Sequence, residues 1–312
     1  MKNSKVIIVN GFCAGGTNIL WNIFQSHPSV CSAILETEQI LHLKYFNLLN
    51  SLFRAFFLTD IITKSPLAKL LGTGIDNRFY QLKLYTLLDS KEVDGDGYGL
   101  KPLSALTKLY NANDNIYFDN RFKYENILYK RKEVEESVLC LKSHDRGDAL
   151  TNFFNKIYDN IYMIGLIRNG YAICEALVRR GAHPRIAGRV YRKFGKRMIN
   201  NSRKLKNYKI VKFEDIMKDP FGAATKLFQF TQLEPTSLKK LRLKSKVVLS
   251  KAGKNIVSYG TPNKKYWFDS ASIFDLLDPN IPKDEAQSLS ASNRKIFEAE
   301  AKPILKYFNY LE

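Results

Sequence analysis

Cysteine is scarce in this chain and poorly placed for chemistry. Cys13, Cys31, Cys140 and Cys174 form no CxxC pair and show no zinc spacing, which excludes a zinc ribbon and a disulfide framework. Three of the four fall in or beside apolar segments of the core, so buried, reduced thiols are the expectation. Long uninterrupted apolar runs are also missing. The richest stretch, from Ile40 to Phe56, is broken by Lys44 and Arg54 before it reaches the length of a membrane span. Only Met1, Lys2, Asn3 and Ser4 precede the expected first strand, too few for a secretory leader or an anchor, so a soluble cytoplasmic protein is expected. Acidic residues are outnumbered 30 to 49 by Lys and Arg, a formal net charge of +19 that calls for an anionic partner. Asp94 and Asp96 before Gly97 lack the remaining spacing of a calcium loop, so no metal is expected.

What is present is a globular composition, 45% hydrophobic and 25% charged, in a chain of 312 residues, long enough for a full core. The segment Lys5–Leu20 (KVIIVNGFCAGGTNIL) carries the most information. Val6 to Val9 suit a buried parallel strand, Gly11, Gly15 and Gly16 permit a tight turn, and Thr17 opens a helix through Ile19, Leu20, Ile23 and Phe24. Unpaired amides at such a helix start, aided by the helix dipole, attract phosphate. The spacing is not that of a Walker A loop, because Gly16-Thr17-Asn18 offers no lysine. A dinucleotide fingerprint is excluded by the absence of G-x-G-x-x-G.

The loop resembles the 5′-phosphosulfate loop of sulfotransferases that use 3′-phosphoadenosine 5′-phosphosulfate (PAPS): Gly11-Phe-Cys-Ala-Gly-Gly-Thr-Asn18, then Trp21, Phe24 and His27-Pro28. Three further segments are similar to that family, in its order. Val138–His144 (VLCLKSH) resembles the strand ending in Lys-Thr-His, Asn160–Asn169 (NIYMIGLIRN) the strand ending in Arg-Asn, and Tyr208–Pro220 (YKIVKFEDIMKDP) the strand and Tyr-Glu-Asp-Leu that follow. The resemblance implies a three-layer α/β fold with a central, mostly parallel sheet and a P-loop-like nucleotide site. It implies one domain over 1–312, with 37–137 a mainly helical insertion that shapes the acceptor pocket.

For the site, the resemblance implies PAPS as co-substrate and no metal. Ala14, Gly15, Gly16, Thr17 and Asn18 would hold the 5′-phosphosulfate, Arg168 the 3′-phosphate, His144 would act as base, and Lys142 would stabilise the transferring group, assisted by Arg146. Ala14 stands where the family has Lys or Arg, Ala176 where it has the serine that follows the phosphate-binding arginine, and Gly170 where it has proline. The acceptor implied is a hydroxyl on a glycan or small molecule. Two rivals remain: a catalytically silent member of the fold that binds an anionic glycan or lipid, and a P-loop kinase, which the missing Walker lysine disfavours.

Elsewhere, Arg185, Arg189, Lys193 and Arg197 fall at four-residue steps along one face of a helix, with Ile186, Val190 and Phe194 on another. This stripe is either a solvated face or the approach for an anionic ligand; no nucleic-acid-binding motif accompanies it. Glu214 and Asp215 are expected to cap the helix after their strand. His27 before Pro28 is expected to shape a chain reversal, while His42 and His183 have no recognisable partner.

Overall fold

The computed structural model describes residues 5–32, 115–118, 127–130, 138–143, 160–235, 238–249, 255–262 and 264–311. Its elements in chain order are β1 (Lys5–Gly11), α1 (Thr17–Gln25), β2 (Val30–Ser32), β3 (Asn115–Phe118), β4 (Ile127–Lys130), β5 (Val138–Ser143) and β6 (Asn160–Ile167). There follow α2 (Gly170–Val178), α3 (Pro184–Lys204), β7 (Tyr208–Lys212), α4 (Phe213–Lys218), α5 (Pro220–Phe230) and β8 (Leu241–Lys244). The last are β9 (Val247–Leu249), β10 (Asn255–Val257), β11 (Lys265–Phe268), α6 (Ile281–Ser288) and α7 (Ala291–Tyr307). The fold is α/β. Five strands form a sheet in the order β2-β5-β1-β6-β7, with β2 parallel to β5 and β6 parallel to β7. β1 and β6 are buried along nearly their whole length, as strands of a parallel sheet are, and so read as near-continuous apolar runs rather than alternating ones.

The chain divides into two compact units, 1–8 with 25–162, and 9–24 with 163–312. In the first, Val30 lies opposite Val138, and Ser29 O accepts a hydrogen bond from Val138 N at 2.8 Å. His27 is buried and its Nδ1 accepts from the amide of Ser29 at 3.1 Å, so it shapes the reversal between α1 and β2 as expected. The helical insertion expected over 37–137 lies outside the described residues, apart from β3 and β4, which pair antiparallel with Asn115 opposite Lys130.

In the second unit, β6 and β7 pair from Met163 opposite Tyr208 to Ile167 opposite Lys212. The core beside them is built from α2, α3 and α7: Ala172, Ile173, Tyr191, Phe194, Met198, Phe297, Ile304 and Leu305 are all buried. Phe12, just past β1, stacks on Tyr191 with ring centroids 4.9 Å apart and meets Phe194 at 4.5 Å. Two glycines let α3 and α7 approach. A Cβ at Gly188 would stand 2.8 Å from Phe297 O, and one at Gly195 would stand 2.4 Å from Ile304 Cγ2. Ala187, Tyr191, Phe194 and Met198 form the buried stripe of α3, which corrects the face expected from the sequence. Phe194 belongs to the core, but Ile186 and Val190 are exposed at 52% and 38%. The helix turns its basic stripe and these two apolar residues to the outside together.

Candidate anion-binding site

The turn between β1 and α1 is closed by its own backbone. Gly15 N donates to Phe12 O at 2.9 Å, and Ile19 N to Gly16 O at 2.9 Å. The Gly15 amide is therefore spent inside the turn. The amides of Gly16 and Thr17, which open the helix, have no backbone partner among the described residues. Gly16 has φ of +90°, and a Cβ there would lie 2.2 Å from the Phe213 ring, so no other residue fits without displacing that ring. Ala14 also lies in the left-handed region, at φ +63°, a conformation that costs a residue bearing Cβ about 1 kcal/mol. Thr17 is buried, its methyl packed where a Cβ on Gly11 would otherwise go.

Arg168, one residue past β6, holds this strained turn. Its Nη1 donates to Ala14 O at 2.9 Å, across 154 residues of chain. Its guanidinium lies over the Phe213 ring at 4.6 Å, a favourable placement for a cation removed from water. Nη2 pairs with the carboxylate of Glu285 on α6, while Nε, buried, has no hydrogen-bond partner among the described residues. The backbone is fixed as well. Arg168 O accepts from Tyr191 Oη at 3.0 Å, and Asn169 caps α2 by accepting from the Tyr171 amide at 3.0 Å. Near the end of β1, Asn10 is fully buried, and neither its Oδ1 nor its Nδ2 has a partner among the described residues. Such orphaned polar atoms cost stability and mark places where something other than packing was selected.

Glu214 has a different task from the helix cap expected of it. Lys212 occupies the cap position of α4, and Glu214 Oε1 instead accepts from Asn169 N at 2.8 Å while Oε2 accepts from Tyr310 Oη at 2.7 Å. Burial, reinforced by this carboxylate, holds the Tyr310 hydroxyl far above the ordinary tyrosine range. Burial does the same to Tyr191, with Glu214 adding to it. Both phenols are therefore fixed hydrogen-bond donors around the end of β6.

Of the remaining expected site residues, Asn18 is the second residue of α1 and half-buried. Ala176 is buried in α2, where its methyl can donate nothing. Lys142 lies buried on β5, and His144, two residues on, lies outside the described residues, as does Arg146. His183 does have a partner: it caps α3, its Nδ1 accepting from Arg185 N at 3.2 Å. Cys140 and Cys174 are buried as expected, and burial, then Glu175, pushes the Cys174 thiol up to about 12. Cys13 is the exception, exposed in the turn with Arg180 Nη1 3.5 Å from its sulfur. Among the described residues no group of His, Cys, Asp and Glu could hold a metal ion. Among them, too, no helix is long and apolar enough to cross a membrane.

The partners of Arg168 were hidden from sequence reading for a physical reason. Glu285 sits on a short polar helix more than a hundred residues away, and nothing in its local pattern separates it from a solvated glutamate.

No protein-family model matches the sequence, and no curated protein matches it. Solved structures do resemble it. The sulfotransferase domain from the Synechococcus PCC 7002 olefin synthase superposes with a TM-score of 0.50 at 16% identity, over 96% of this chain and 95% of that one. The sulfotransferase domain from the curacin biosynthetic pathway superposes with a TM-score of 0.54 at 12% identity, over 100% and 99%. The likeness is one of architecture: the chain has the sulfotransferase fold.

Proposed function

We propose that this protein is a PAPS-dependent sulfotransferase acting on a hydroxyl of a glycan or small-molecule acceptor. The observation that carries the reading is the 2.9 Å bond from Arg168 Nη1 to Ala14 O, which holds the guanidinium at the end of β6 against the glycine turn at the end of β1. A doubly phosphorylated nucleotide needs two such devices within one molecule's reach. The residues present fit that ligand, since Gly16 and Thr17 offer uncommitted amides and Arg168 has an unpartnered Nε beside its engaged Nη groups.

When bound, the donor supplies an activated sulfuryl group: its sulfur–oxygen bond to the 5′-phosphate breaks as the acceptor oxygen bonds to sulfur, releasing adenosine 3′,5′-bisphosphate. Gly16, Thr17 and Asn18 hold the phosphosulfate, and Arg168 holds the 3′-phosphate without help from a serine, since Ala176 stands there. His144 takes the acceptor's hydroxyl proton, imidazole being the side chain suited to act as a base near neutrality. Lys142 steadies the negative charge of the transferring group; positioning and electrostatics supply the rest.

Titration calorimetry with adenosine 3′,5′-bisphosphate and with ATP, followed by transfer of labelled sulfate into an acceptor panel, tests the reading. Binding of the bisphosphate alone, with label transferred, is the expected result; preference for ATP would make the protein a kinase. Ala14 favours a second reading, because it puts no cation where the bridging oxygen would lie. In a binding protein without turnover, the bisphosphate would bind and no label would move.

A further inference from the structure

Glu285 occupies an unusual position. One carboxylate oxygen pairs with Arg168 Nη2, and the other lies 3.4 Å from Arg179 Nη2. Arg179, at the end of α2, also pairs with Glu175 at 3.3 Å. Two guanidinium groups from different positions in the chain therefore converge on one carboxylate. Exposure rises outward across the cluster: the Arg168 side chain is 7% exposed, Glu285 28% and Arg179 34%. The innermost cation also carries the Nε–H with no partner among the described residues. A structural ion pair would normally satisfy the buried member fully, because a buried donor left unmade costs about 1–3 kcal/mol. Here the buried member is left short of one acceptor, and of the two it does have, Ala14 O and the Glu285 carboxylate, the second belongs to a side chain 28% exposed.

We propose that Arg168 and Arg179 form a two-guanidinium subsite for a phosphomonoester, and that Glu285 is an internal counter-anion which that phosphate displaces. A carboxylate brings one charge and two oxygens; a phosphomonoester brings nearly two charges and three oxygens, enough to accept from the free Nε as well as from both Nη2 groups. Arg179 thus supplies, one turn beyond Ala176, a donor that the alanine cannot. Glu285 sits on α6, whose buried residues Pro282 and Ala286 pack the helix in place while the glutamate side chain turns about its own bonds. Its carboxylate competes with the ligand, so the apparent affinity of the subsite is lowered by the fraction of molecules in which Glu285 fills it. This rests on the reading of Arg168 as a nucleotide-phosphate ligand given above.

The experiment is calorimetry of the full-length protein, wild type against Glu285→Gln and Arg179→Gln, with adenosine 3′,5′-bisphosphate and separately with inorganic phosphate. Melting temperatures would confirm that both variants fold. Glu285→Gln keeps the shape and removes the charge; it should bind both anions about fivefold more tightly, the upper worth of one partly exposed ion pair. Arg179→Gln should bind both more weakly. If wild type binds the bisphosphate and Glu285→Gln binds it equally or less well, the exchange is refuted and the sulfotransferase reading is untouched. If the bisphosphate binds neither protein but inorganic phosphate still prefers Glu285→Gln, the nucleotide reading fails and the anion subsite stands. Should neither anion bind either protein, both fail.

Discussion

Arg168 and the arginines of α3 carry the same charge, yet the protein treats them differently. Arg168 is buried, lies over Phe213, and is bonded to the carbonyl of a strained alanine. Arg189 and Arg192 are 56% and 41% exposed and share the carboxylate of Glu300 at 3.1 and 3.2 Å, while Arg185 stands in solvent. Along the stripe, burial and, after it, the charge of Arg197 lower the pKa of Lys193. A guanidinium desolvated and fixed before a ligand arrives has already met the cost of ordering, whereas a mobile surface one has not. Charge alone therefore marks neither region as a site; confinement does.

The sharpest way to break this contrast is at the turn itself. Gly16→Ala forces a Cβ into the Phe213 ring and a strained φ, and should cost about 3 kcal/mol of stability in urea unfolding. A loss below about 1 kcal/mol would mean that the turn yields easily and is not the rigid cradle described. Next in size, Arg168→Ala should weaken binding of adenosine 3′,5′-bisphosphate by about 100-fold, the scale of two charge-assisted hydrogen bonds. Arg197→Ala on α3 should change it less than about threefold. Equal effects would erase the distinction between the two regions. A smaller effect, of opposite sign, is expected at Asn10. Asn10→Leu removes two buried polar atoms that lack partners among the described residues, and should raise stability by about 1 kcal/mol. A fall in stability would show that water satisfies the amide in solution.

The sequence made the local half of this site legible. The apolar runs of β1 and β6, the glycines of the turn and the arginine just past β6 all announce themselves within a few residues, because strand burial and tight turning are short-range demands. What escaped depends on partners distant in the chain. Nothing near Ala14 signals a left-handed backbone, which persists because Arg168 ties its carbonyl. Glu214 reads as a helix cap until Tyr310 and the Asn169 amide are brought to it. Ile186 and Val190 continue an apolar pattern on α3, but the packing partner, α7, meets the face of Tyr191 and Gly195 instead. The residues expected to do proton transfer and to shape the acceptor pocket, His144 and most of 37–137, lie outside the described residues.

The two oxygens of Glu214 have a consequence for how the molecule could be monitored. One holds the amide of Asn169 beside the anion-binding arginine, and the other holds the phenol of Tyr310, close to the last residues of the chain. Lys212 Nζ adds a bond to Phe308 O at 2.8 Å. Fraying of the terminal turn would release the carboxylate, so deuterium uptake at Asn169 should rise in Tyr310→Phe. The rate of that exchange would serve as a remote gauge of how firmly the tail is latched, readable without any ligand.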